Sequence, residues 1–319
     1  MYSLLNYMFM GLIYLFLLIL MNMMAIAFLT LYERKILGYI QDRKGPNKSF
    51  FMGLMQPIMD AMKLLFKEYF ILKNSNFYHY MICPILILIL SFMLWFVSPF
   101  YFNLYNNNYS ILFMLSVMSM SVFPMMISGW SSNSHYSMLG SIRSIAQSIA
   151  YEISLFLMLL ILMILTEGFS FYNFMMFQKY IKFFIFLFPL YYLFILSMLV
   201  ELNRTPFDLI EGESELISGF NTEYFSSQFT MIFMAEYLSI SFMSMILSVM
   251  FFGYDLYSIK FLFMYYFHLM LIIWLRGVLP RMRYDELMMM CWKIFLPITL
   301  FYLNFIFLFK FFYNFYIMM

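Results

Sequence analysis

Between Glu201 and Tyr224 the sequence reads "ELNRTPFDLIEGESELISGFNTEY", six carboxylates and one arginine set between long runs of Phe, Leu, Ile and Met. Carboxylates crowded in a partly desolvated place raise one another's pKa values and can share protons, which is the chemistry of a proton-conducting or proton-sensing site. Glu201 closes one apolar run and Glu236 lies inside the next, while Glu152 lies within an earlier one. A carboxylate in mid-membrane costs about 2.5 to 3.5 kcal/mol, so each should face protein, water or a partner group. In a water-soluble chain the same acids would be a solvated loop. A neutral, packed Glu152 also remains open, and His135, alone in a polar loop, reads as solvated.

Three further segments carry charge. In "LYERKILGYIQDRKGPNKSFFMGLMQPIMDAMKLLFKEYF", Glu33, Arg34 and Lys35 end the first apolar run, Gly45 and Pro46 make a turn, and Pro57 opens a helix. There Gln56, Asp60, Lys63 and Lys67 recur at helical spacing opposite Met59, Met62, Leu65 and Phe66, which predicts a short amphipathic helix lying in the membrane interface. Such a helix is either a surface anchor or the lip of an opening for an amphipathic, lipid-soluble molecule. "SGWSSNSHYSMLGSIRSIAQSIAYEIS" carries Arg143 and Gln147 towards Glu152, and "WLRGVLPRMRYDELMMMCWKIFLP" supplies Arg276, Arg281, Arg283, Asp285 and Glu286. These arginines either anchor at headgroups or face the acids across a cavity.

The elements that must position these groups follow from composition. Of 319 residues, 65% are hydrophobic and only 11% charged, with a mean hydropathy of +0.86, too little charge to cover a water-soluble surface. A net charge of +2 gives no footprint for nucleic acid. Two distant cysteines, with no Cys/His cluster, exclude a structural zinc or a Cys-ligated iron-sulfur cluster within the chain. No signal peptide or import presequence is visible at the start. The abundance of Met and Phe over Ala and Val suggests an AT-rich coding genome such as an animal mitochondrial one.

Eight windows reach the roughly 20 apolar residues that a span requires, at about 4–31, 80–100, 110–129, 144–166, 181–202, 226–252, 260–279 and 294–316. The expected fold class is therefore an all-α polytopic membrane protein, one transmembrane domain over 1–319, with about eight spans and the interfacial amphipathic helix. Charged segments fall at about 32–79, 130–143, 201–226 and 276–293. Connections on that side hold 14 Lys and Arg against 4 on the other, so by the positive-inside rule they face cytoplasm or mitochondrial matrix and both termini face the opposite side. The same side carries 14 of the 16 acids, which fits a protein interface or a polar cavity better than attraction to anionic lipid alone.

The four segments "ERKILGYIQDRKGPNKSFFMGLMQPIMDAMKLLFKE", "GWSSNSHYSMLGSIRSIAQSIAYEIS", "ELNRTPFDLIEGESELISGFNTEY" and "RGVLPRMRYDELMMMCWKIFLP" resemble the chain 1 family of mitochondrial NADH:ubiquinone oxidoreductase, respiratory complex I, in an insect-like version. His135 stands where that family usually has Lys, and Leu202 and Ile210 where it usually has Thr.

The resemblance implies a core membrane subunit, without a redox centre of its own, that forms the membrane side of a ubiquinone chamber and couples quinone reduction to proton translocation. It implies that Glu33, Arg34, Asp60, Phe225 and Arg283 belong to the quinone chamber and its entrance. It further implies that Glu152, Glu201, Asp208, Glu211, Glu213, Glu215 and Glu236 are the proton-coupling carboxylates. Ubiquinone would be the substrate, and FMN and the iron-sulfur clusters would lie in partner subunits. The implied partners are the two hydrophilic quinone-site subunits, neighbouring small membrane subunits, and lipids with cardiolipin among the candidates, in the mitochondrial inner membrane. Two other readings of the residues are a stand-alone proton-coupled secondary transporter and a membrane anchor of a related hydrogenase-type complex. A transporter should work when purified alone, whereas a complex subunit should be inert.

Overall fold

A computed structural model describes residues 2–68, 73, 75–99, 108–208, 219–221 and 223–318. Among the described residues all regular structure is helical, and seven helices are long and apolar enough to cross a membrane, with a shorter apolar helix beside them. Glu211, Glu213 and Glu215 lie outside the described residues.

Helix α1 (Tyr2–Ile40) has 39 residues, about 58 Å of helix against a hydrocarbon core of about 30 Å, so several of its turns must project beyond the bilayer. The window expected at 4–31 thus continues as helix through Glu33 and Arg34. A turn and a 3-10 segment (Phe51–Gly53) lead into α2 (Gln56–Leu65). Pro57 sits in the first turn of α2, where its missing N–H costs nothing. Ile58, Met59, Met62, Leu65 and Phe66 are exposed, as an interfacial helix requires.

The antiparallel helices α3 (Phe77–Trp95) and α4 (Ser110–Ser131) pack along each other. Helix α5 (His135–Thr166) has 32 residues. It starts nine residues before the expected 144, because "HYSMLGSIR" continues the helix instead of forming a loop, and Glu152 lies correspondingly deeper along it.

The window expected at 181–202 is not one helix. After α6 (Phe171–Phe177), α7 (Phe183–Phe186) stops at Leu187, and α8 (Phe188–Glu201) begins with Pro189 in its first turn. Proline cannot donate the bond that would continue α7, so the break falls there. Helices α9 (Ser226–Phe252) and α10 (Ile259–Val278) follow. Helix α11 (Tyr284–Met290) runs through a π-turn (Cys291–Phe295) into α12 (Leu296–Met318). Pro297 lacks the N–H that would bond Lys293, and the wide turn just before it absorbs that loss.

Helix α9 is the axis of the bundle: 78% of its apolar window is buried, and it packs against α1, α2, α3, α6, α7, α8 and α10. Contacts between distant segments bring the charged ends together at one end of the bundle. Gln147 Nε2 donates to the carbonyls of Val200 and Phe207, both at 3.1 Å. Met282 N–H donates to Pro206 O at 2.9 Å, and Ser226 Oγ donates to Lys67 O at 2.9 Å. At the opposite end, Lys310 of α12 bonds Ile164 O and pairs with Glu167 at 2.8 Å, a cation placed on the C-terminus of α5.

Candidate functional site

Among the described residues, the most buried charge in this end of the bundle by solvent exposure is Glu33, 3% exposed, on the last turns of α1. Its Oε1 accepts from Arg204 Nη1 at 2.8 Å and also from Arg276 Nη1. Tyr237, on α9, adds a side-chain hydrogen bond to Glu33, and its ring lies 4.8 Å from the Arg204 guanidinium. The group thus staples α1, the end of α8, α9 and α10 across more than 240 positions of sequence. Burial pulls the Arg204 pKa down, but the Glu33 carboxylate raises it further, so the guanidinium stays charged. Arg204 is therefore held chiefly by Glu33 and, more weakly, by Glu236 among the described residues.

On the outside of this staple, Arg34 pairs with Asp60, which also accepts from Gln56 Nε2 at 3.0 Å. Arg34 is half exposed. Helices α1, α2 and α9 pack against one another, and a cavity of about 380 Å³ opens among Thr30, Glu33, Arg34, Leu37, Gln41, Tyr237, Arg276 and Gly277. Its lining is mostly polar and charged, with Leu37 and the Tyr237 ring as its apolar part.

Tyr237 and Arg276 also line a second cavity, of about 80 Å³, with Arg204, Asn203, Asp208 and Glu236. Asp208 is 4% exposed and faces Arg281 Nη2 at 3.6 Å. Asn203 and Glu236 in turn line a third cavity, of about 110 Å³, with Glu201, Ser239 and Ser121. Glu201 Oε2 is buried without a hydrogen-bond partner among the described residues, and Glu152 is its acidic neighbour. Neighbouring cavities share lining residues, Tyr237 and Arg276 for the first pair and Asn203 and Glu236 for the second, so they adjoin one another from Arg34 to Glu201, the third being walled mainly by apolar side chains of α3, α4 and α9.

The structure thus brings Glu33, Arg34, Asp60, Asp208, Glu236, Glu201 and Glu152 into one continuous region. Phe225 sits at the start of α9, 41% exposed, beside the end of α2. Arg283 is exposed and only loosely paired with Asp285 at 4.0 Å, and it lines none of the three cavities. Sequence reasoning missed Tyr237 as a site residue and left the partners of Arg204 and Arg276 undecided. The available signal for Tyr237 was its place directly after an intramembrane carboxylate in "AEYL".

Comparison with known proteins agrees with this geometry. The family model described as NADH dehydrogenase matches residues 13–307. NADH-ubiquinone oxidoreductase chain 1 of Apis mellifera ligustica is 53% identical over 299 residues, 94% of this chain and 97% of the relative. The chain 1 of Aedes aegypti is 51% identical over 91% of this chain and 92% of the relative, and that of the primate Sapajus apella is 42% identical over 90% and 92%. Matches of this length and identity, across insects and a primate, show that the chain belongs to the NADH-ubiquinone oxidoreductase chain 1 family of membrane subunits.

Proposed function

We propose that this chain forms the membrane wall of a ubiquinone chamber in respiratory complex I and carries the first part of the path by which quinone reduction drives proton translocation. The observation that supports it is the series of adjoining cavities from Arg34, through Glu33, Tyr237 and Arg276, to Glu236 and Glu201. The quinone enters between α1, α2 and α9, with Arg34 and Asp60 at the mouth and Phe225 at its rim. Electrons arrive from iron-sulfur clusters, and originally FMN, held by partner subunits. The two hydrophilic quinone-site subunits cover the charged end, small membrane subunits and lipid cover the apolar flanks, and anionic lipid such as cardiolipin meets the basic turn around Arg43 and Lys44.

Charge leaving or reaching the quinone head changes the field at the Glu33 staple, and the proton moves along Asp208, Glu236, Glu201 and Glu152. Glu211, Glu213 and Glu215 extend the acidic surface towards the hydrophilic partners. Arg283 lies outside the cavities and fits the partner-facing rim. The charged end faces the matrix, and both termini face the intermembrane space.

The test is a pair of variants in the assembled complex. Arg34→Ala should raise the KM for quinone with NADH oxidation by artificial acceptors unchanged. Glu201→Gln, which keeps shape and removes titration, should depress proton pumping or quinone reduction with assembly intact. Parent rates of both reduction and pumping in a fully assembled Glu201→Gln complex would reduce the acidic region to a docking surface.

A further inference from the structure

The third cavity, of about 110 Å³, reaches well past the carboxylates at its charged end. Inward from that end its lining runs from Ile87 to Leu94 on α3, from Met125 to Val117 on α4 and from Glu236 to Met243 on α9. Each of these stretches is two helical turns, about 10–12 Å long. The cavity is therefore a slot, with Glu201, Asn203 and Glu236 at one end and Leu94, Val117, Met118 and Met243 at the other.

The polar side chains of the slot have acceptors to offer and little else. Glu201 Oε2 and Asn203 Oδ1 are both buried with no hydrogen-bond partner among the described residues. The Asn203 amide nitrogen donates to Glu201 O at 3.4 Å, which assigns its orphaned atom as the oxygen. Ser91, Ser121 and Ser239 give their hydroxyl protons to carbonyls of their own helices, Leu88 O, Met118 O and Glu236 O, each at 2.7 Å, and keep only lone pairs. Among the described residues no lysine or arginine lines the slot. The charged neighbour of Glu201 is a second acid, Glu152, and Arg204 pairs with Glu33.

Buried acceptors without donors are costly. An ammonium group is their complement, with three donors, no acceptor and one positive charge. The apolar end sets the rest of the ligand. A dry cavity of about 150 Å³ takes a six-carbon ring, so a slot of about 110 Å³ takes a chain of about four to six carbons.

We propose that this slot is a binding site for a lipophilic primary amine in its protonated form, with the ammonium on Glu201 and Asn203 and a short unbranched alkyl chain along Leu94, Val117, Met118 and Met243. Any proton that Glu201 holds leaves to water as the ammonium arrives. The site is distinct from the cavity at Arg34, with which it shares no lining residue. It requires neither quinone chemistry nor proton transport by Glu201.

The test is photolabelling of the assembled complex in lipid nanodiscs with n-hexylammonium carrying a diazirine at the far end of its chain, read by peptide mass spectrometry. Adducts are expected at Leu94, Val117 or Met243. Unlabelled n-hexylammonium should protect these residues, and 1-hexanol, of similar shape without the charge, should not. From ethylammonium to n-hexylammonium the protecting concentration should fall about fourfold per methylene, the gain from burying one such group, and it should level off at n-octylammonium because the slot ends. An undiminished gain at n-octylammonium marks partition into lipid and overturns the site.

Two variants separate its ends. Glu201→Gln should cut labelling about tenfold or more by removing a charge-assisted hydrogen bond. Val117→Phe fills the inner end, leaves every carboxylate in place, and should abolish labelling. Both are scored on complex shown intact by native electrophoresis, and the protection series on the unmodified complex decides if neither assembles. Labelling that 1-hexanol blocks equally, that survives both variants, or that falls only on lipid-facing residues overturns the proposal. So does a map of the unmodified complex with a partner side chain in the slot, or with water there that saturating n-hexylammonium does not displace. None of these readouts is a turnover rate, so parental pumping in Glu201→Gln would strike the carboxylate path and leave the amine site standing.

Discussion

Glu33→Gln isolates the energetic centre of the charged end. Glu33 and Arg204 are 4% and 12% exposed at their side chains and 2.8 Å apart, so removing the carboxylate's charge leaves a guanidinium in a place that water reaches poorly. Breaking a buried pair by removing one partner costs about 3–5 kcal/mol. Arg276 is a third exposed and recovers part of its hydration, which sets the expectation near the lower end, about 3 kcal/mol. The large complex unfolds irreversibly, so the readout is the half-life of quinone reductase activity at a fixed elevated temperature. If the loss falls mainly on the inactivation barrier, it shortens that half-life about a hundredfold.

Arg34→Ala is the control: its pair with Asp60 is half exposed, worth about 0–1 kcal/mol, and should shorten the half-life by no more than about fivefold. Glu33→Gln combined with Arg204→Met removes both charges and should do less harm than Glu33→Gln alone. A Glu33→Gln complex that inactivates no faster than Arg34→Ala would refute the assignment of Glu33 as the buried staple of α1, α8 and α10.

Other expectations concern the supporting structure. At Gly129 a methyl group would overlap the Ser141 hydroxyl and stand 2.9 Å from Ser137 O, so Gly129→Ala should cost about 1–3 kcal/mol by forcing α4 from α5, seen as less assembled complex; an unchanged yield would count against that close approach. Gln147→Leu removes the donor to Val200 O and Phe207 O; Val200 O keeps Asn203 N–H, but Phe207 O loses its described partner at about 1–3 kcal/mol, so the variant should lower thermal stability and quinone reductase activity together, whereas loss of neither would sink the idea that Gln147 holds the end of α8. Cysteine labelling in sealed vesicles should reach engineered sites near Arg43 and Lys48 from one side and near Lys182 and Lys260 from the other. Labelling of both sets from one side would end the proposed orientation.

Sequence alone determined the class of molecule and much of the site's membership. Runs such as "MGLIYLFLLILMNMMAIAFLTL" admit no environment but lipid or a helical core, and the periodic Gln56, Asp60 and Lys63 give α2 because a 3.6-residue repeat puts them on one face. The carboxylates at Glu201 and Glu236 were legible because charge in an apolar run is costly and so conspicuous. What the linear pattern could not supply was pairing. Glu33 meets partners 171 and 243 positions away, and no local spacing encodes a contact made by packing four helices side by side. The extension of α5 back to His135 was hidden for a similar reason: its serines read as loop by propensity, but Ser137, Ser141 and Ser144 are buried against neighbouring elements and return their hydroxyl protons to the helix's own carbonyls. Tyr237 has no charge to draw notice, and only the convergence of α1, α9 and α10 makes its phenol part of the series of cavities from Arg34 to Glu201.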